Sequence, residues 1–184
     1  MKYKDESVEN AILQKTVEFL QRYGVRGWNM AELAEHSGLA KNTLYRVIES
    51  KELLMERVTT DYYNKIYSRL TEILEAGGDY IDTCKKLISV YIDLSPAYFS
   101  EIFKEYPALE KRIANKYAAV RQRMIDYIKK GVDAGILRED LDAEKTFELM
   151  RSVCLMYDTK FSEQERAEKI HFAFECITYG ILKK

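Results

Sequence analysis

Apolar residues recur every three or four positions along most of this chain, the spacing of helices that bury one face. No run alternates with period two over enough residues to argue a sheet. The first predicted helix covers residues 7–23, with Ile12, Thr16, Phe19 and Tyr23 in one stripe and Leu13 and Leu20 beside it. Gly24 is suited to end it in a left-handed conformation. Asn29 can cap a second helix, and Glu32 stands where it can reciprocate. Met30, Leu33 and Ala34 form the inward side of that helix. Ser37-Gly38-Leu39 makes a corner in which Gly38 permits a positive φ and Leu39 is the apolar plug. Leu44 and Ile48 then face inward from a third short helix. So few apolar side chains make a small core that needs support from the rest of the chain.

After Ser50 the pattern lengthens. Leu53, Leu54, Val58, Tyr62, Ile66, Leu70 and Ile73 describe a helix that reaches Ala76, spanning roughly 37 Å over about 25 residues. Gly77-Gly78 stops it. Further helices are predicted over residues 80–94, from the Ser95-Pro96 cap to Lys104, and from Pro107 to Lys130, with Gly131 and Gly135 bracketing a turn. Residues 142–160 carry Phe147, Met150, Cys154 and Tyr157 in register. Ser162 and Glu165 form a capping box for the last helix, along which Ile170, Phe174, Ile177 and Ile181 make a line. The fold class is therefore all-α.

Composition changes this picture little. A chain of 184 residues buries roughly two-thirds of its unfolded surface, enough for a small domain joined to a larger one. No apolar run approaches the ~20 residues that cross a bilayer. The N-terminal lysines have no apolar segment behind them, so no secretory signal is expected. Cys84, Cys154 and Cys176 are odd in number and lack short-range pairing, which reads as reduced thiols in a cytoplasmic protein. Charge matters more. Residues 1–56 carry eight Lys or Arg against nine Asp or Glu, so a nucleic-acid surface here must come from placing positive side chains on one face.

The segment 30–54 offers such a face. A short helix, a glycine corner and a second helix with its polar side outward can place side chains in a DNA major groove. Lys41 suits guanine O6 and N7 or a phosphate, Asn42 can pair with adenine N6 and N7, and Thr43 offers a hydroxyl and a methyl. Asn42 can equally cap its helix. Tyr45, Arg46 and Lys51 suit phosphates, and Tyr45 can instead pack between helices. Catalysis is not expected. His36 and His171, the two histidines, are far apart in sequence, and there is no HExxH, close cysteine pair or glycine-rich phosphate loop. No cofactor and no metal is implied.

The set formed by Gly24, Met30-Ala31-Glu32-Leu33-Ala34, Ser37-Gly38-Leu39, Thr43-Leu44-Tyr45-Arg46 and Ser50-Lys51-Glu52-Leu53-Leu54 resembles the TetR family of transcriptional regulators. The resemblance implies a three-helix DNA-binding unit over residues 1–50 and a larger helical ligand-binding and dimerisation domain over 51–184. It implies a homodimer on palindromic double-stranded DNA, acting as a repressor that a small-molecule effector releases. Ala40 to Val47 resembles the recognition helix, with Lys41, Asn42 and Thr43 at its exposed start. Tyr45 resembles the family's phosphate-contacting tyrosine and Lys51 its backbone-contacting lysine. Asn29 stands where Thr or Ser is common. Ala40 departs from the usual capping Ser, and Val47-Ile48 from a more usual aromatic or histidine followed by phenylalanine.

Two helices per subunit paired across a twofold axis make a four-helix bundle. Phe147, Phe174, Ile177 and Ile181 are the candidate dimer contacts, or else pack inside their own subunit. The middle of the chain is rich in Tyr, Phe and Met, which line a cavity for an apolar or aromatic effector or simply fill a core. Tyr91, Phe99, Met124, Met150 and Cys154 are the candidate ligand contacts. The competing reading is a helical interaction or scaffold protein whose DNA-binding unit is no longer functional.

Overall fold

The computed structural model describes residues 2–93, 98–156 and 162–182. These residues form helices throughout, in the order α1 (Lys2–Tyr23), α2 (Met30–His36), α3 (Lys41–Val47), α4 (Lys51–Ala76), α5 (Tyr80–Asp93), α6 (Tyr98–Glu105), α7 (Pro107–Lys116), α8 (Ala118–Asp133), α9 (Ala143–Met156) and α10 (Glu163–Ile181). Among the described residues the β-type pairing is a single bridge between Leu137 and Leu182. No helix among them is long and apolar enough to cross a membrane.

The capping signals are realised. Asn29 Oδ1 accepts from the N–H groups of Ala31 and Glu32 while the Glu32 carboxylate accepts from Asn29 N–H. Ser162 and Glu165 make the same reciprocal arrangement at α10. Gly24 and Gly38 take φ values of 67° and 64° and end α1 and α2 as expected. The proposed Ser95-Pro96 cap, Tyr157 and the end of the predicted 142–160 helix lie outside the described residues.

Two boundaries differ from the sequence pattern. The helix expected from Pro107 to Lys130 is broken at Tyr117, whose φ of −108° and ψ of 18° leave helical geometry. Tertiary contact overrides continuity there: the buried Tyr117 ring lies 4.6 Å from that of Tyr67, and its hydroxyl donates to Asn64 Oδ1. Gly131 does not sit in the turn but inside α8, where the Tyr80 hydroxyl lies 2.2 Å from the site of an added Cβ. Gly135, at φ 68°, makes the turn alone.

The chain forms two compact units, and they do not divide at residue 50. Unit 1 comprises Met1–Tyr63 and Tyr98–Ile113; unit 2 comprises Asn64–Ala97 and Ala114–Lys184. The small core of the first three helices is thus completed within unit 1 by α6 and α7, which contribute buried Phe99, Ile102, Phe103, Leu109 and Ile113. Tyr62 lies 4.2 Å from Phe99, and Tyr63 meets both Phe99 and Phe103. In unit 2, Val153, Ile170 and Phe174 form a buried cluster against which Ile88, Met150, Ala173 and Ile177 pack.

Candidate nucleic-acid interface

The corner between α2 and α3 is a Schellman turn. Gly38 N–H donates to Glu35 O at 3.0 Å and Leu39 N–H to Ala34 O at 2.9 Å. Leu39 is half-buried beneath it. Ala40 then adopts an extended conformation and starts α3 without a side-chain cap bond. What holds α3 is its inner side, because Leu44 and Ile48 have no exposed surface at all. With those positions fixed, helical geometry turns Lys41, Asn42, Tyr45 and Arg46 outward. Tyr45 keeps 40% of its surface exposed, against 0% for its neighbour Leu44, so it is a presented aromatic and not an interhelical packing residue. Thr43 is half-buried. The ridge therefore offers one amide, two cations and a phenol to a partner.

Two of the expected DNA contacts are engaged within the protein. Asn29 spends its carbonyl oxygen on the α2 cap, so only its amide donors remain for a phosphate. Lys51 donates to the Trp28 carbonyl, and its ammonium stands 3.9 Å from the centre of the Trp28 ring. Burial lowers its pKa, opposed by the charges of Glu105 and Glu32. Lys51 thus ties the start of α4 to the α1–α2 loop before it can serve DNA. His36 bonds locally, with Nδ1 2.9 Å from Glu32 O and its ring edge-on to Phe19.

Trp28, Arg26, Glu101 and Glu105 escape the sequence pattern. Trp28 is buried, donates from Nε1 to Gly24 O and packs edge-on against Phe19. As the chain's one tryptophan beside a helix cap, it carried a usable signal. The α6 carboxylates carried none, because their partners lie far away in sequence. Glu101 accepts from Val25 N–H at 3.0 Å, and Glu105 accepts from Arg26 Nε at 2.7 Å.

The candidate effector residues separate. Met124 and Met150 line a cavity in unit 2 of about 50 Å³, together with Phe147, Phe174 and Cys84. Phe99 does not line it, because it belongs to the aromatic cluster of unit 1. The side chains of Tyr91 and Cys154 lie outside the described residues. Arg151 also borders the cavity and is paired with Glu148 at 3.6 Å. Cys84 is partly enclosed, and burial pushes its thiol pKa up. The walls are thus dominated by carbon and sulfur.

Of the candidate dimer residues, Phe147 and Phe174 lie in the core of their own unit, while Ile177 and Ile181 are partly exposed. Phe147 and Phe174 are 5% and 2% exposed, buried in their own unit, and Ile177 packs on the same cluster. Ile181 is half-buried. The line Ile170, Phe174, Ile177 is the inner side of α10, so the outer side falls to Phe172 and Tyr179, 68% and 77% exposed. Leu149 on α9 is exposed as well.

No family model matches the chain. Its sequence is 21% identical over 136 residues to the HTH-type transcriptional repressor KstR2 of Rhodococcus jostii, covering 70% of this chain and 67% of that protein. The fold matches the ketosteroid transcriptional regulator KstR2 of Mycobacterium tuberculosis with a TM-score of 0.72 at 15% identity, over 96% of this chain and 95% of that one. It matches a TetR-family regulator from Agrobacterium tumefaciens with a TM-score of 0.78 at 12% identity, over 97% and 100% of the two chains. By sequence the chain is similar to HTH-type transcriptional repressors named KstR2, and its fold is that of solved TetR-family regulators.

Proposed function

We propose that this protein is a dimeric, sequence-specific DNA-binding transcriptional regulator of the cytoplasm, acting as a repressor that a small apolar or aromatic effector releases. The observation that carries the reading is the ridge Lys41, Asn42, Tyr45 and Arg46, exposed on a helix whose Leu44 and Ile48 are wholly buried. Side chains so held keep their geometry when a groove approaches, which limits the ordering cost of binding. Lys41 and Asn42 are the base-reading candidates; Tyr45 and Arg46 are the phosphate contacts. The KstR2 relatives are named as repressors, which favours repression over activation.

One headpiece this small binds weakly and cannot fix a spacing. Two, related by a twofold axis, read half-sites ~34 Å apart or a multiple of it. The partner surface best supported is the outer side of α9 and α10, where Leu149, Phe172 and Tyr179 expose apolar area. The cavity of unit 2 is the candidate effector site; at about 50 Å³ it must widen to admit a ligand, and its walls, apolar apart from Arg151, favour an apolar compound. To release DNA, that compound must bind one dimer geometry better than the other.

Selection from random duplex DNA tests the reading. A recovered palindrome with half-site centres one helical turn apart, or a multiple of that, is the expected result. Failure to bind any duplex at low salt, by a protein that is dimeric in solution, overturns it in favour of the scaffold reading. Phe172→Glu with Tyr179→Glu is expected to yield monomers by sedimentation and to abolish binding.

A further inference from the structure

Glu105 forms an ion pair with one cation of unit 1, Arg26. Its Oε2 accepts from Arg26 Nε at 2.7 Å and also meets the Arg26 Nη2 atom. Arg26 is nonetheless held out from the surface, with 84% of its side chain exposed. The charges of Glu105 and Glu32 also oppose the lowering of the Lys51 pKa by burial. Arg26 precedes the α2 cap in sequence, and Lys51 is bonded to the Trp28 carbonyl. The ridge cations lie on α3.

We infer that Glu105 is a resident counter-ion that occupies Arg26 in place of a DNA phosphate, so that α6 sets how strongly the headpiece holds DNA. The inference rests on the DNA-binding reading above. An exposed ion pair of this kind adds little to folding, which makes it easy to exchange for a phosphate of the same charge. A guanidinium accepts carboxylate and phosphate with the same fork of donors. Residues 1–56 have no net positive charge to spare, so one carboxylate at this place changes the local balance appreciably within a Debye length of ~10 Å. Glu105 belongs to α6 and not to α1–α3, so the charge available to DNA depends on a helix outside the three that carry the ridge. The neighbouring Glu101 differs. It caps a backbone N–H of the same loop and has a holding role.

The two roles give opposite signs, and that makes the inference testable. Removing a mere staple weakens DNA binding; removing a competing anion strengthens it. The probe is the duplex recovered by selection, with affinity read by fluorescence anisotropy across a salt series. Glu105→Gln is expected to bind several-fold tighter at low salt, with a log–log salt slope steeper by up to about 0.9 per subunit, the value of one added phosphate contact. Adding Arg26→Ala to Glu105→Gln is expected to remove more than half of that gain. Glu105→Ala must move in the same direction. Equal or weaker binding by either neutral variant beside a binding wild type overturns the counter-ion role alone. Loss of folded protein in both variants overturns it too, by showing a structural staple. No binding by wild type or variants overturns the DNA reading and this inference with it.

Discussion

The exposed polar ridge of unit 1 and the cavity of unit 2 use their side chains in opposite ways. On α3 the working groups are polar and exposed, and the buried Leu44 and Ile48 behind them do nothing but hold. Around the cavity the same residues do both jobs: Phe147 and Phe174 are core members and also part of its wall. Close-packed interiors transmit any change of volume. A surface ridge can therefore be altered without disturbing the fold, whereas the cavity cannot be altered without touching the core that shapes it.

The largest expected effect breaks function and spares the fold. Lys41→Glu with Arg46→Glu reverses two exposed charges on each α3. Each lost contact to base or phosphate is worth about 1–3 kcal/mol, so operator affinity is expected to fall by more than about 100-fold. Surface substitutions change stability by only about 0.5 kcal/mol, so the thermal midpoint should stay put. Anisotropy titration beside a thermal scan checks both, and retained affinity would move the DNA surface off α3. Leu44→Ala is the converse. Removing a side chain with no exposed surface costs about 2–5 kcal/mol, and denaturant unfolding should show that loss with the ridge chemically intact.

The difference between the regions also explains what could be read from the residues. The caps at Asn29 and Ser162, the Gly38 corner and the outward ridge depend on side chains within a few positions of one another. Local spacing states such features directly. The break at Tyr117 depends on Tyr67 and Asn64, and the membership of α6 and α7 in unit 1 depends on a core assembled across about fifty residues of intervening chain. Periodicity is blind to both. On α10 it found a real apolar line, but such a line marks the buried side of a helix whether the neighbour belongs to the same subunit or to another. Phe174 faces its own subunit, and the exposed Phe172 stands off the apolar line altogether.

A middle-sized effect sharpens the contrast by testing close packing in unit 2 behind the cavity wall, to which Tyr127 belongs. At Gly131 an added Cβ would lie 2.2 Å from the Tyr80 hydroxyl oxygen, 2.4 Å from its ring and 2.9 Å from Leu137. The Tyr80 ring cannot swing aside cheaply, because it stacks on Tyr127 at 4.7 Å and its hydroxyl donates to Tyr127 O. Gly131→Ala gains helix propensity but overpacks this contact, with an expected net loss of about 1–3 kcal/mol. Chemical denaturation should report the loss, while the folded protein keeps its operator affinity within twofold.

The smallest expected effect concerns a partly buried phenol of unit 2, that of Tyr67. Burial raises the Tyr67 pKa from the ordinary 10 to about 12; Tyr117 adds to the rise, and Arg151 and Arg121 oppose it. A folded pKa above the unfolded one means that the unfolded chain loses its proton first. The associated stability is fully present below pH 10 and drains away as pH rises toward 12. Between pH 10 and 11 the loss from this one group amounts to about 1 kcal/mol. Tyr67→Phe should flatten the dependence of unfolding free energy on pH in that window, whatever offset it causes at pH 7. Tyr80 and Tyr127 are shifted in the same direction and stay in the variant, so the slope should fall without vanishing. An unchanged slope would mean that water reaches the Tyr67 hydroxyl in the folded state, and that the interior of unit 2 is less closed than its packing against Tyr117 implies.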